Sequence, residues 1–311
     1  MDDLTEARPG AGTILSWNYE NRARDMTMMS TLLNRRFIYR FYHIAASVTA
    51  NISRKPKIES YWAIRYLNAG DLVAPMLLKR YGFIPAFSYR NEAKLFSCGS
   101  LLDKIPENFS GFVLGTGLMW NVIKSLPNAR ILAVRGELTR NNIGAPKDTI
   151  LGDPGLLVVN HMPKRYEKRY VLGIVPHFTE KEDYRLRNLI SRYQKEICFI
   201  NIQANPLTVL KHIDQCKYIL SSSLHGMVFA DSLGVPNAWT ILSDRVQGKG
   251  FKFYDYRSAL QWKRDPVLIS GNEKLSDLIA QTSLPSLSVI EETKNNLNHA
   301  FRLFKQEFKR S

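Results

Sequence analysis

Cysteine is scarce in this chain. The three present, Cys98, Cys198 and Cys216, stand far apart in 311 residues and form no CxxC pair. That spacing argues against a disulfide framework and a structural metal, and for a reducing compartment. Long apolar runs are missing as well. No stretch approaches the ~18–20 uninterrupted apolar residues of a membrane-spanning helix, and the N-terminus, MDDLTEARPG, is too acidic and polar for a secretory signal. A cytoplasmic location is the resulting expectation. Acidic residues are few: 28 Asp and Glu face 43 Lys and Arg, a net charge of +15. The expected partner is therefore anionic: a phosphorylated substrate, an acidic glycan, an anionic membrane face or a nucleic acid. Nucleic acid is the least expected of these, because no recognised motif is present and the basic residues are spread along the chain.

What is present is a folded composition and a repeating rhythm. Residues 1–56 stand apart as a basic and aromatic extension. Within them RRFIYRFYHIAASVTANISRKPK surrounds a short apolar core, Phe37 to Ala50. It reads as an ordinary packed helix or as an amphipathic helix on an anionic membrane surface through residues 35–57. From there strands and helices alternate: YWAIRYL (61–67), KLFSCGS (94–100), FVLGTGL (112–118), ARILAVRG (129–136) and LGDPGLLV (151–158). After a charged joint, HMPKRYEKR, the rhythm restarts with YVLGIVPH (170–177), ICFINIQ (197–203), KYILSSS (217–223) and AWTILS (238–243), then a helical tail from Leu275 to Lys309 broken near Pro285. The pattern predicts an α/β protein of two Rossmann-like parallel-sheet domains, residues 57–165 and 166–311, facing across a cleft. Ligands of such sheets bind beyond the carboxyl ends of the strands.

Several of those ends carry chemistry. Asn68-Ala69-Gly70-Asp71 opens a helix and offers free amides to an anion or a sugar hydroxyl, or else is only a turn and a cap. Gly115-Thr116-Gly117 permits close approach of a ligand, or makes a plain tight turn. Arg135 ends an apolar strand, where it needs a partner: a donor anion, or a salt bridge to Asp153 or Glu137. His177 and His225 end two strands of the second half, and His225 lies on the first turn of an apolar helix beside Ser221, Ser222 and Ser223. Unpaired amides favour anions there, which tips His225 toward function. In GKGFKFYDYRSAL (248–260), Lys249, Lys252, Asp255 and Tyr256 read as a basic loop closing on an anionic ligand or as a solvated loop.

Taken in order, NAGD, GTG, VRGELTR, LGDPGLLV, PH, SSSLHG with ADSLGVP, and FKFYDY resemble the polysaccharide pyruvyl transferases, most of all the bacterial enzymes that place pyruvate ketals on exopolysaccharide sugars. The resemblance runs from about Tyr61 to about Leu260. It implies a fold similar to the two-Rossmann arrangement called GT-B and phosphoenolpyruvate as donor and co-substrate. It also implies a glycan or lipid-linked oligosaccharide acceptor at the cytoplasmic membrane face, and it calls for no redox cofactor and no metal. Some members carry Arg-Leu-His where this chain has Ser223-Leu224-His225-Gly226, so Arg135, Lys252 or Arg245 would supply the missing charge. Ketal formation needs a proton delivered to the methylene carbon of the donor. Histidine, ordinarily titrating near ~6.5, suits that step. The resemblance therefore implies His225 as acid or phosphate-stabilising cation, with His177 as second candidate. Arg135, Lys252 and Ser221–Gly226 would hold the donor, and Asp71, Asp153 and Asp255 with the two Gly-rich turns would lie on the acceptor or loop side. The alternatives are a nucleotide-sugar glycosyltransferase of the same architecture and a non-catalytic glycan-assembly or anionic-polymer-binding protein. The sequence sets no oligomeric state.

Overall fold

A computed structural model describes residues 45–64 and 68–310. The expected amphipathic segment falls mostly outside the described residues. Its end, 45–53, is helical (α1), with Ala46 and Ala50 buried and Val48 and Ile52 exposed. Among the described residues no helix is long and apolar enough to cross a membrane.

The first sheet holds β1 (Lys57–Tyr61), β2 (Ile84–Phe87), β3 (Leu95–Phe96), β4 (Phe112–Leu114), β5 (Arg130–Val134) and β6 (Ile150–Leu151), in the order β2-β1-β3-β4-β5-β6. The second holds β7 (Tyr170–Val175), β8 (Ile197–Phe199), β9 (Cys216–Ser221), β10 (Asn237–Ile241) and β11 (Val267–Leu268), in the order β11-β10-β9-β7-β8. Every strand pair is parallel. Parallel neighbours need crossovers, and the helices supply them: α2 (Val73–Arg80), α3 (Glu137–Asn142), α4 (Tyr184–Arg192), α5 (Pro206–Asp214), α6 (Leu224–Ser232) and α7 (Phe251–Ala259). Two α/β halves with parallel sheets are the architecture expected from the rhythm.

Four details differ from expectation. The first strand is KIESY rather than YWAIRYL, because Ile58 and Ser60 alternate inward while Trp62 to Ile64 leave the ladder. β2 (IPAF) and β11 (VL) are strands beyond those expected, the first carrying a proline and the second only two residues long. The segment read as a loop over 248–260 is largely α7, whose Phe251, Phe253 and Tyr256 are buried. The tail was assigned to the second half, yet its long helix α9 (Leu287–Phe308), which follows α8 (Leu275–Ala280), covers the first sheet. Phe304 packs 5.0 Å from Phe83 and 5.1 Å from Phe112, Phe301 stacks on Tyr81 at 4.6 Å, and Arg130 makes a bidentate pair with Glu307.

One continuous core ties the halves together. It runs from Leu77, Leu114 and Leu156 through Val228 and Phe229 to Val175 and Ile219. Helix α6 is its hinge pin: all nine residues are buried, and Ser232 Oγ donates to Leu156 O at 2.8 Å. Leu156 belongs to a 3-10 helix, Pro154–His161, whose start is capped by Asp153 accepting from Gly155 N.

Candidate functional site

Each sheet has one topological switch point, between β1 and β3 in the first and between β7 and β9 in the second. Connections leave in opposite directions on either side of such a point and open a crevice. Cys98 follows β3, His177 follows β7, and Ser222 to His225 follow β9. The two crevices meet: Cys98 Sγ lies 3.1 Å from His225 Nε2.

His225 is brought there by the sharp entry into α6. Ser223 N donates to Ser221 Oγ, which in turn donates toward Val175 O and Ser223 O, each 2.8 Å away. Ser222 Oγ accepts from His177 N at 2.9 Å. Ser223 occupies the cap position of α6, but no side chain caps the first turn. Amide N–H groups therefore remain available at that end, where the helix dipole also favours an anion. The Nδ1 edge of the imidazole lies against Gly70. A Cβ at Gly70 would sit 2.0 Å from His225 Nδ1, so the close approach requires glycine.

Around His225 the polar groups converge. Cys98 Sγ donates to Asp153 Oδ1 at 3.3 Å, and that same oxygen is 3.7 Å from His225 Nε2 and accepts from Gly155 N at 2.8 Å. Burial by itself would push the Asp153 carboxyl up. The charge and hydrogen bond of His225, the Gly155 amide and Arg135 outweigh it and hold the carboxyl below its ordinary range. Burial, with Asp153 beside it, pushes the Cys98 thiol well up. Asp71 is no helix cap. Asn68 N and Nδ2 donate to its Oδ2 at 3.2 and 2.7 Å, while Asn68 Oδ1 accepts from Gly70 N. Burial raises its pKa to about 6, against the opposing pull of His225. Ala69 N donates to Ile202 O, which anchors the turn to the second half.

Lys252 and His177 flank this cluster. Lys252 is buried and makes no hydrogen bond or ion pair among the described residues, its ammonium resting 5.4 Å from the Phe253 ring. Burial lowers its pKa to about 8, with Arg135 adding to the shift and Glu180 opposing it. His177 Nδ1 pairs with Thr179 Oγ1 at 2.7 Å, and burial together with the Lys252 charge lowers its pKa to about 4. A histidine held neutral at physiological pH is a poor general acid, which weighs against His177 in that role.

Arg135 has a different task from the one expected. It is fully buried, and each guanidinium nitrogen is taken: Nε by Asp255 Oδ2 at 2.8 Å, one terminal nitrogen by Ser100 Oγ and the other by Leu118 O. Its partner is Asp255, not Asp153 or Glu137. Asp255 also accepts from Thr139 N and Oγ1, and Gly136 leaves room for the Asp255 carbonyl, which a Cβ would meet at 1.7 Å. VRGELT and FYD thus form one clamp between the halves, in which each guanidinium nitrogen and both carboxylate oxygens are engaged within the protein. The GTG turn serves the same clamp: Gly115 has a positive φ beside Pro154, Thr116 Oγ1 donates to Gly99 O, and the guanidinium lies over Gly117. Arg245 pairs with Asp183 at 2.6 Å. Gly226 packs against Ser221 and Val175, and buried Leu224 belongs to the core.

Sequence reasoning passed over Cys98 and Glu180. Cys98 sits in SCGS at a strand end, a signal that was available. Glu180, fully buried with Oε1 accepting from Ser243 Oγ and Oε2 unpaired, carries no local pattern that marks it.

The polysaccharide pyruvyl transferase profile matches residues 31–242, a stretch holding Asp71, Cys98, Arg135, Asp153, His177 and His225. The chain belongs to this family. The matched stretch begins upstream of the resemblance read from the motifs, taking in residues 31–56, and it ends before Lys252 and Asp255. An uncharacterized protein, L143, of Acanthamoeba polyphaga mimivirus is 37% identical over 186 residues, 55% of this chain and 63% of its own length. The succinoglycan biosynthesis protein ExoV of Rhizobium meliloti is 26% identical over 215 residues, 64% of each. The chain thus spans under two thirds of the length of these relatives. Among solved structures, the wall teichoic acid polymerase TagF overlaps with TM-score 0.45 at 11% identity, covering 83% of this chain and 89% of that one. A putative UDP-N-acetylglucosamine 2-epimerase from Listeria monocytogenes overlaps with TM-score 0.41, covering 83% and 98%. Overlaps this loose carry no weight for function.

Proposed function

We propose that this pyruvyl transferase moves pyruvate from phosphoenolpyruvate onto two hydroxyls of a polysaccharide or lipid-linked sugar, forming a ketal and releasing phosphate. The observation that carries the reading is the uncapped first turn of α6, with His225 on it and buried Lys252 without a hydrogen-bonding partner nearby. A doubly anionic donor fits that end of the site: amides and an ammonium meet phosphate and carboxylate, and Lys252 takes the charge that Ser223 lacks.

The chemistry then runs with its protons balanced. His225 delivers a proton to the methylene carbon, and the adjacent carbon becomes cation-like. A sugar hydroxyl adds there, the C–O bond to phosphate breaks, and a second hydroxyl closes the ring. Two hydroxyl protons are released; one returns to the histidine and one leaves with phosphate. Asp71, with its pKa raised to about 6, can accept one of them near neutral pH. His177 and Ser222 order the floor of the donor site rather than exchange protons. The test is incubation with phosphoenolpyruvate and a glycan acceptor, read by phosphate release and by the mass gain of one pyruvate ketal. A glycan of unchanged mass, or consumption of a nucleotide sugar instead, would overturn the reading.

A further inference from the structure

The Cys98–Asp153–His225 cluster contains more than proton transfer requires. In a thiol–imidazole–carboxylate relay the acid sits on the far ring nitrogen and orients the base. Here the carboxylate and the thiol both approach Nε2, and Nδ1 faces Gly70 instead. The three donor atoms therefore surround a single point. Their separations are 3.1 Å (S to N), 3.3 Å (S to O) and 3.7 Å (N to O). Tetrahedral zinc, with bonds of ~2.3 Å to sulfur and ~2.0–2.2 Å to nitrogen and oxygen, spaces such ligands ~3.4–3.6 Å apart. A few tenths of an ångström of adjustment would suffice. All three residues are buried, and Asp153 Oδ2 has no hydrogen-bond partner, an oxygen whose burial is costly unless something cationic or donating meets it.

We propose that Cys98, Asp153 and His225 form a Zn(II)-binding site. One thiolate, one carboxylate and one neutral imidazole suit a borderline-soft divalent ion and neutralise its two charges, whereas magnesium and calcium favour all-oxygen sites. The Cys98 S–H bond breaks, its proton goes to solvent, and an S–Zn bond forms with no change of oxidation state. Three protein ligands leave the fourth position to water. A bound ion takes the Nε2 lone pair, so His225 cannot carry a proton there at the same time. Zinc is accordingly an inhibitor of transfer, a consequence that rests on the pyruvyl-transfer reading, while the binding site itself does not.

Metal-stripped full-length protein dialysed against Zn(II) should bind one ion per chain, and Co(II) in its place should show a thiolate-to-metal absorption band. Cys98→Ser and His225→Asn should each weaken binding at least tenfold and remove the band, whereas Cys198→Ser should keep both. Circular dichroism checks that each variant is folded, and either ligand variant suffices if the other fails to fold. Absence of stoichiometric binding, or unchanged binding in the folded ligand variants, overturns the site. Transfer measured at increasing zinc should fall as the site fills. Undiminished transfer by zinc-loaded protein overturns the inhibition and leaves the site standing, and a protein with no transfer at all still reports binding.

Discussion

Two polar clusters stand at the ends of these sheets, and they differ in how fully their groups are paired. In the Arg135–Asp255 clamp every guanidinium nitrogen has an acceptor and both carboxylate oxygens have donors. Around His225 the pairing is incomplete. Lys252 has no hydrogen bond or ion pair among the described residues, Asp153 Oδ2 and Glu180 Oε2 are orphaned, and Ser223 caps nothing. Desolvated groups left short of partners are costly, and a fold tolerates that cost where a ligand will complete the set. Saturation fits the first cluster to an architectural role, and incompleteness fits the second to the proposed donor site, although Arg135 and His225 both follow apolar strands.

The largest test of this contrast acts on the site without touching a polar atom. Gly70→Ala places a methyl 2.0 Å from His225 Nδ1 and must turn the ring away. Transfer should fall by about 10²-fold or more, with an overpacking cost to stability of about 1–3 kcal/mol. A fully active Gly70→Ala enzyme would show that the ring's place does not matter. Next comes the clamp: Asp255→Ala leaves a buried guanidinium unpaired, and denaturant unfolding should report a loss of about 3–5 kcal/mol. Lys252→Met should separate the two clusters by sign. Its pKa of about 8 lies below the ordinary 10.5, so the unfolded chain binds more protons between those values and wild-type stability rises with pH there. At neutral pH the methionine variant should therefore be more stable by about 3 kcal/mol, an advantage that shrinks as pH rises above 8. Its KM for phosphoenolpyruvate should rise about tenfold to a hundredfold. A destabilised Lys252→Met would make the lysine architectural. The smallest effect lies far from both clusters: Asn205 accepts from Leu207 N at the start of α5, and Asn205→Ala should cost about 1 kcal/mol without altering turnover.

Much of the second half was legible because its strands are short apolar runs that end in informative residues. The largely apolar stretch after His225 points to a buried helix. The KIESY strand was not legible, since its inward Ile58 and Ser60 make too weak an alternation to outweigh YWAIRYL. Helix α7 escaped because GKG at its head suggests a loop, while its buried Lys252, Asp255 and Arg257 read as solvent-facing. The residues of the site were legible one by one, but not their company. His225 was marked by position in the chain, whereas Cys98, 127 positions upstream, reaches it only because two switch points are folded together. Arg135 shows the same gap: a lone arginine at a strand end does not reveal that Asp255 waits across the interface.

The return of α9 to the first sheet has a consequence for how the chain is made. Phe83 and Phe112 are covered by Phe304, so the earliest strands stay without their lid until residues near the far end have left the ribosome. The first half therefore cannot finish its core until the whole second half has been made.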